Sequence, residues 1–367
     1  MRRKSTLVAG ACAIAMLAAS ACSAGSLSDE GGGKALELDG ETVASQKLYD
    51  AAKKEGTVNI YTSVNEVATK AMQDAFTEDT GIKVSGVRSP TGRLNERILS
   101  EHGAKSLPAD IIAMPDDALW KDLVDKKMFV AHKVPNDADI PDEYKGADSV
   151  YYAFISAPTT IAFNKEELKK AGVAEPKSWQ DLLDPKLKGE KVGIVHASQG
   201  AGGWNLALFM RDKLGDDYWQ KLADQKPLLE SSVGSLGEKL GRGEVAVAAA
   251  RPGVAGDLAD QGAPVGYVWA SDGVPMFNFF IGQVAKSEHP NAAQVYMNWA
   301  MSKRGQSVAA KEGGDYSVNP KAAKPETGGK PMPPIDEIKP YTPTTEKAIG
   351  LREEWIAEWN KVFGYRG

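Results

Sequence analysis

The stretch GTVNIYTSVNE, residues 56–66, reads as one short strand running into one helix. Val58 to Tyr61 is the strand, and Thr62, Ser63 and Asn65 form the turn beyond it. From Glu66 to Glu78 the apolar residues Val67, Ala71, Met72, Ala75 and Phe76 fall on one side of a helix. The unit then repeats. Ile82–Val87 is a strand and Arg93–His102 a helix with Leu94, Ile98 and Leu99 inward. Asp110–Met114 is a third strand, followed by a helix over Asp116–Lys127. Strands alternating with helices in this order imply an α/β fold, with a mostly parallel sheet covered by helices.

Around Tyr151–Asn164 the pattern changes to two extended segments flanking Pro158. A second α/β unit follows, with strand Lys191–His196, a helix from about Gly203 to Asp224, and strand Glu244–Ala250. Gly266–Trp269 and Phe277–Ala285 are extended and read as a return to the first unit. Asn291–Lys311 is expected as one long helix. Asn319–Thr345 carries seven prolines and is expected as an ordered surface loop. An amphipathic helix bearing Leu351, Trp355, Ile356, Trp359 and Phe363 closes the chain. A chain that leaves one lobe, builds another and returns makes two lobes joined by a hinge. We expect residues 56–155 with 268–311 in the first lobe, and 156–267 with 312–367 in the second. Ligands of open α/β sheets sit beyond the carboxyl ends of the strands, here in the cleft between lobes.

With 367 residues, 42% of them hydrophobic, the chain is long enough for two cores. Arg2, Arg3 and Lys4, the apolar run Leu7–Ala19 and the small residues Ala19-Ser20-Ala21 read as an export signal over residues 1–21. Cys12 lies within it. Cys22 follows it directly and has no partner, which fits lipid attachment; Ala19, where lipoproteins usually carry leucine, keeps plain cleavage after Ala21 open. Residues 22–45, rich in Gly and Ser at their start, are expected to be a flexible tether. The formal net charge is −5, and more negative once the leader's basic residues are gone, which argues against nucleic acid. Four histidines without a cysteine cluster argue against a zinc site, and no cofactor is expected.

The candidate binding residues stand at strand exits and helix starts. In the first lobe these are Ser63, Asn65, Thr91, Gly92, Arg93 and Asp116; in the second, Ser198, Gly200, Ala201, Gly202, Trp204, Ser232 and Arg251. Helix N-termini present free N–H groups and partial positive charge to an anion. At each single position, simple capping of the residue's own helix explains the residue type as well. Arg251 follows the strand in VAVAAARPGVAG, 245–256, where Pro252 ends the ladder. A guanidinium fork there suits a carboxylate, phosphonate or phosphate ester; a surface salt bridge is the alternative. His196-Ala197-Ser198-Gln199-Gly200 lacks the first glycine of a hydrolase elbow, so no enzyme is expected.

The sequence resembles the extracellular solute-binding proteins of ABC importers, in the ferric-iron-type group with the type II periplasmic-binding-protein fold. The stretches that carry the resemblance are GTVNIYTSVNE (56–66), FTEDTGIKV (76–84), LPADIIAMPD (107–116), SWQDLLDPKLKGEKVGI (178–194), LGRGEVAVA (240–248), HPNAAQVYMNWAMSKRGQ (289–306) and YSVNP (316–320). The resemblance implies a receptor that binds a small solute, closes on it and delivers it to a membrane permease. It also implies a protein anchored outside the cell membrane by lipid at Cys22, and expected to be monomeric. Iron-binding members use a tyrosine pair near VAVAAARPG and often a histidine after the first strand. Here those positions read Ala249, Ala250, Arg251 and Asn65, so an anionic organic solute is expected in place of bare ferric iron. Ferric iron carried with an anion or chelator stays the alternative within the class, and a secreted hydrolase or sensor-docking module the alternative outside it.

Overall fold

A computed structural model describes residues 34–365. The leader, Cys12 and Cys22 lie outside the described residues. The expected tether ends early. Strands β1 (Leu36–Leu38) and β2 (Glu41–Ala44) form a hairpin around Asp39-Gly40, both at positive φ, as a tight hairpin turn demands. Ser45 then caps α1 (Gln46–Glu55), and the Glu55 carboxylate accepts from the backbone N–H groups of Asn291 and Ala292.

Next come β3 (Thr57–Thr62), α2 (Glu66–Thr80), β4 (Lys83–Arg88), α3 (Thr91–Gly103), β5 (Ile111–Pro115) and α4 (Asp117–Asp125). The chain crosses over through β6 (Tyr152–Pro158) and β7 (Thr160–Asn164), which belong to different sheets and meet at Thr159. Then follow α5 (Lys165–Ala171), β8 (Val192–Val195), α6 (Ala201–Leu214), α7 (Tyr218–Asp224), β9 (Leu228–Glu230), α8 (Val233–Gly241), β10 (Val247–Ala250), α9 (Pro252–Asp260) and β11 (Val265–Val268). The return runs through β12 (Val274–Gln283), α10 (Pro290–Met301), α11 (Lys303–Gly313), β13 (Tyr316–Ser317), the small hairpin β14 (Glu326–Thr327) and β15 (Lys330–Pro331), β16 (Pro340–Tyr341), α12 (Thr345–Gly350) and α13 (Arg352–Phe363).

Two sheets organise these elements. The first has the order β13-β6-β12-β5-β3-β4, with β16 beside β12; the second has the order β11-β7-β10-β8-β9. Each is mixed. β3 runs parallel to β4 and β5, and β8 parallel to β9 and β10. The strands on which the chain changes sheets run antiparallel to their main neighbours: β6 to β12 and β13, β7 to β10 and β11, and β12 to β5 and β6, while the short β16 runs parallel to β12. Strands β5, β6, β7, β8 and β10 are buried along their whole length, as continuous apolar runs between helical layers must be.

Residues 312–367 were expected with the second lobe, yet β13 pairs with β6 and β16 with β12, both in the first sheet. Tyr341 of β16, Ala348 of α12 and Trp359 of α13 pack into the second core, so this segment serves both. The expected helix Asn291–Lys311 is split at Ser302, whose extended backbone ends α10 and whose hydroxyl caps α11 at Gly305 N–H. The helix expected over 203–224 breaks at Gly215, which sits at φ 110°. The proline-rich segment is ordered, with Tyr316 Oη donating to Pro333 O.

Candidate functional site

The exits of the parallel strands carry the candidate residues, and local chemistry fixes most of them. Asn65 caps α2, its Oδ1 accepting from Ala68 N–H at 2.8 Å. Ser63 and Thr91 join two exits of the first sheet, hydroxyl to hydroxyl at 3.1 Å. Helix α3 has no side-chain cap, and Gly92 and Arg93 stand exposed in its first turn. Ser232, also exposed, caps α8 through Ser235 N–H.

Asp116 is committed elsewhere. It holds φ 92° and ψ 102°, a region that non-glycine residues rarely occupy, while its Oδ1 caps α4 at Ala118 and Leu119. Its Oδ2 lies 2.8 Å from Arg352 Nη2 of α13. Its neighbour Asp117 accepts from the Thr345 hydroxyl at 2.7 Å, and burial together with Asp116 pushes the Asp117 carboxyl up.

In the second sheet, β8 delivers His196 and the loop to Gly200, and α6 begins at Ala201 with no side-chain cap. Gly203 lies against β8, where a Cβ would stand 2.5 Å from His196 O. Gly202 faces Phe277. Ser198 Oγ lies 2.8 Å from His196 Nδ1, and Ser198 N–H also points at that nitrogen at 3.1 Å. A nitrogen accepting an N–H carries no proton of its own, so the ring is neutral with hydrogen on Nε2. Burial lowers the His196 pKa further. No carboxylate among the described residues bonds this ring, so the serine and histidine lack the third member that orients a hydrolase base.

Two expectations are corrected. Trp204 is not a cleft residue: it is 2% exposed and its indole N–H donates to Ala348 O at 2.8 Å, with Trp355 edge-on to it. Its spacing on α6 turns it into the second core. Arg251 is not an open fork. Its guanidinium bonds both carboxylate oxygens of Asp315, which is 1% exposed, and its Nη2 also donates to Gly313 O. Its guanidinium carbon lies over the Phe279 ring, 5.8 Å from the centroid. A buried carboxylate from the segment before β13 answers the arginine. Sequence reading had no signal for Asp315, which is remote in the chain and set beside Arg251 only by the sheet crossing.

Around Arg251 the two sheets enclose little space. Thr159, Gly202, Gly203, Arg251 and Phe277 border a void of about 10 Å³, room for one water at most. On the outer side a cavity of about 370 Å³ brings Asn65 and Glu66 of α2 against Arg251 and Asp257. Its lining carries Glu66, Asp257, Asp260, Glu312 and Glu326 against Lys311 and the already paired Arg251, a set that repels anions. Burial and Asp260 raise the Asp257 pKa, with Arg251 opposing. A larger space of about 640 Å³ lies along residues 173–185, before β8, remote from the strand exits. Among the described residues no group of three or more His, Cys, Asp or Glu is set to hold a metal ion.

Two mixed sheets, crossed by one chain and facing each other with their strand exits and helix starts, define a two-lobed solute-binding fold of the type II periplasmic kind. The chain belongs to the bacterial extracellular solute-binding protein family, whose model matches residues 58–307. It is the solute-binding component of an ABC import system. Among relatives, an uncharacterized protein of Haemophilus influenzae is 25% identical over 335 residues, covering 86% of this chain and 94% of that one. The Fe(3+)-binding periplasmic protein of Serratia marcescens is 22% identical, covering 70% and 77%. A Salmonella typhimurium protein named for 2-aminoethylphosphonate binding is 29% identical, covering 48% and 50%. Among solved structures, the periplasmic binding protein AfuA of Actinobacillus pleuropneumoniae, with exogenous fructose-6-phosphate bound, superposes with TM-score 0.71 at 23% identity over 85% of this chain and all of that one. Iron-bound HitA of Pseudomonas aeruginosa gives 0.67 at 20% identity, covering 83% and 99%. The Serratia and Salmonella relatives are named as periplasmic proteins, and no helix among the described residues is long and apolar enough to cross a membrane.

Proposed function

We propose that this receptor captures a small organic anion, a phosphate ester, phosphonate or carboxylate, at the starts of α3 and α6. The observation that carries the reading is that both helices begin without a side-chain cap, whereas α2, α4 and α8 are capped by Asn65, Asp116 and Ser232. The first-turn amides of Thr91–Arg93 and Ala201–Gly203 are left for a ligand. Exposed Arg93 adds the charge that Arg251 does not supply. The relatives named for a phosphonate and bound to a sugar phosphate support the class of solute. The protein binds without turnover, and the lobes, hinged at Thr159 and between Val268 and Val274, close on the solute.

Titration calorimetry against phosphate esters, phosphonates, carboxylates and ferric citrate tests the reading. At least one organic anion should bind, and Arg93→Ala should weaken it about tenfold, near 1.4 kcal/mol. Loss of a charge-assisted hydrogen bond accounts for that size. Unchanged affinity in Arg93→Ala removes α3 from the site. Ferric citrate should give no visible charge-transfer band, since residues 249–252 carry no phenol. A strong band would favour the iron alternative suggested by the iron-binding relatives.

We also propose that the exported chain is held at the outer face of the membrane by lipid on Cys22. The support is the basic, apolar and small-residue order of residues 1–21 directly before a cysteine that has no partner. Cys22→Ser should move the protein from membrane to soluble fractions. Equal membrane retention in the variant would refute the anchor.

A further inference from the structure

We propose that a second cavity, between the start of α4, the first turns of α6 and residues 342–345, is the subsite for a primary ammonium group on the same solute. The proposal rests on the anion reading above and extends it. The cavity holds about 450 Å³. Asp117 and Glu143 bring two carboxylates to it, Asn205 and Asn278 two amides, and Tyr144 and Phe277 two rings. No lysine, arginine or histidine lines it.

It also offers amide oxygens as acceptors. Asn205 is 2% exposed and spends its Nδ2 on Ala201 O at 2.9 Å, so its Oδ1 is the atom left for the cavity, without a partner among the described residues. The Asn278 Oδ1 is buried and also unpartnered. A buried acceptor left unmade costs about 1–3 kcal/mol, so the Asn278 Oδ1 favours an occupant that donates, and the Asn205 Oδ1 can accept from the same group. The carboxylates decide which donor. Asp117 receives only the Thr345 hydroxyl, and the nearby Arg352 is taken by Asp116. Exposed Glu143 has no cationic partner among the described residues. Burial pushes the Asp117 carboxyl up, which a bound cation would reverse. A neutral polyol would leave both charges unanswered, whereas an ammonium answers them, and the faces of Tyr144 and Phe277 add to its attraction.

The distance fits one molecule. Asn205 lies one helical turn, about 5.4 Å, beyond Ala201, where the uncapped amides of α6 begin. Phe277 borders both this cavity and the void beside Gly202. Two or three bonds of carbon chain therefore span anion and ammonium.

The test is calorimetry with three probes of one shape: phosphoethanolamine, 2-hydroxyethyl phosphate and ethyl phosphate. We expect the amine to bind wild type at least tenfold more tightly than either of the others. Asp117→Asn with Glu143→Gln should bring that ratio below about threefold. Glu143 is exposed, so Glu143→Gln alone keeps the test open if the double variant does not fold, and it should cut the ratio at least threefold. Equal affinity for amine and hydroxyl probes, or a ratio that survives these variants, overturns the proposal. Should no phosphate bind, the anion reading fails, and ethanolamine alone decides the subsite: millimolar binding weakened by Glu143→Gln supports it, and no binding overturns it.

Discussion

Arg251→Ala should lower the folding stability by about 3–5 kcal/mol, because it strips a buried carboxylate of its partner. Asp315 is buried among backbone and sheet strands, and Arg251 supplies both of its charged hydrogen bonds. Burial already pushes the Asp315 carboxyl up, with Arg251 pulling the other way. Without Arg251 the folded state holds the proton still more readily than the unfolded chain, whose carboxylate titrates near 3.9. A raised folded pKa gives stability that is present below the unfolded value and lost as pH rises through the folded one. The deficit of the variant should therefore be smallest near pH 4 and grow toward neutrality. Urea denaturation of both proteins at pH 4.5 and 7.5 measures it. Arg251→Met with Asp315→Leu should recover most of the loss, since it removes both charges together. A deficit under about 1 kcal/mol, with no pH dependence, would mean a solvated pair instead.

Gly203→Ala should destabilise by about 3 kcal/mol and abolish solute binding. In an ordinary helix, glycine to alanine gains about 1 kcal/mol. Here the added methyl would stand 2.5 Å from His196 O and 3.2 Å from Val195 O, both backbone, so α6 must move off β8. That shift carries the uncapped amides of Ala201 and Gly202 out of register with the opposite lobe. Gly202→Ala is the control: its methyl meets only the tip of the Phe277 ring at 3.3 Å, and the ring can tilt. Thermal melts and calorimetry on the pair should separate them clearly. Equal behaviour of the two variants would show that contact with β8 is not what requires Gly203.

The alternation of strand and helix was legible because buried strands such as Ile111–Pro115 and helices such as Glu66–Thr80 carry their periodicities openly. So was the crossing at Pro158, where two apolar runs meet. The hairpin at Asp39-Gly40 had its turn signal in the sequence, but Gly- and Ser-rich neighbours hid it. The short strands Tyr316–Ser317 and Pro340–Tyr341 carry no local signal, because a two-residue strand is defined by its partner alone. The site was half legible. Helix starts could be located, but whether a cap, a remote arginine or a remote carboxylate already served each one depends on residues such as Arg352 and Asp315 that only folding brings near.

The place of β12 has a consequence for how the protein comes into being. It lies between β5 and β6, which precede it by well over a hundred residues. Until residue 283 has left the ribosome, both neighbours carry bare edges and the first sheet has no middle. Closure of such remote pairings is slow, and bare edges invite pairing with other chains. For a member of an extracellular solute-binding family, this late arrival works as a timer: the nascent chain cannot lock prematurely. The same delay leaves it in need of shielding until its central strand arrives.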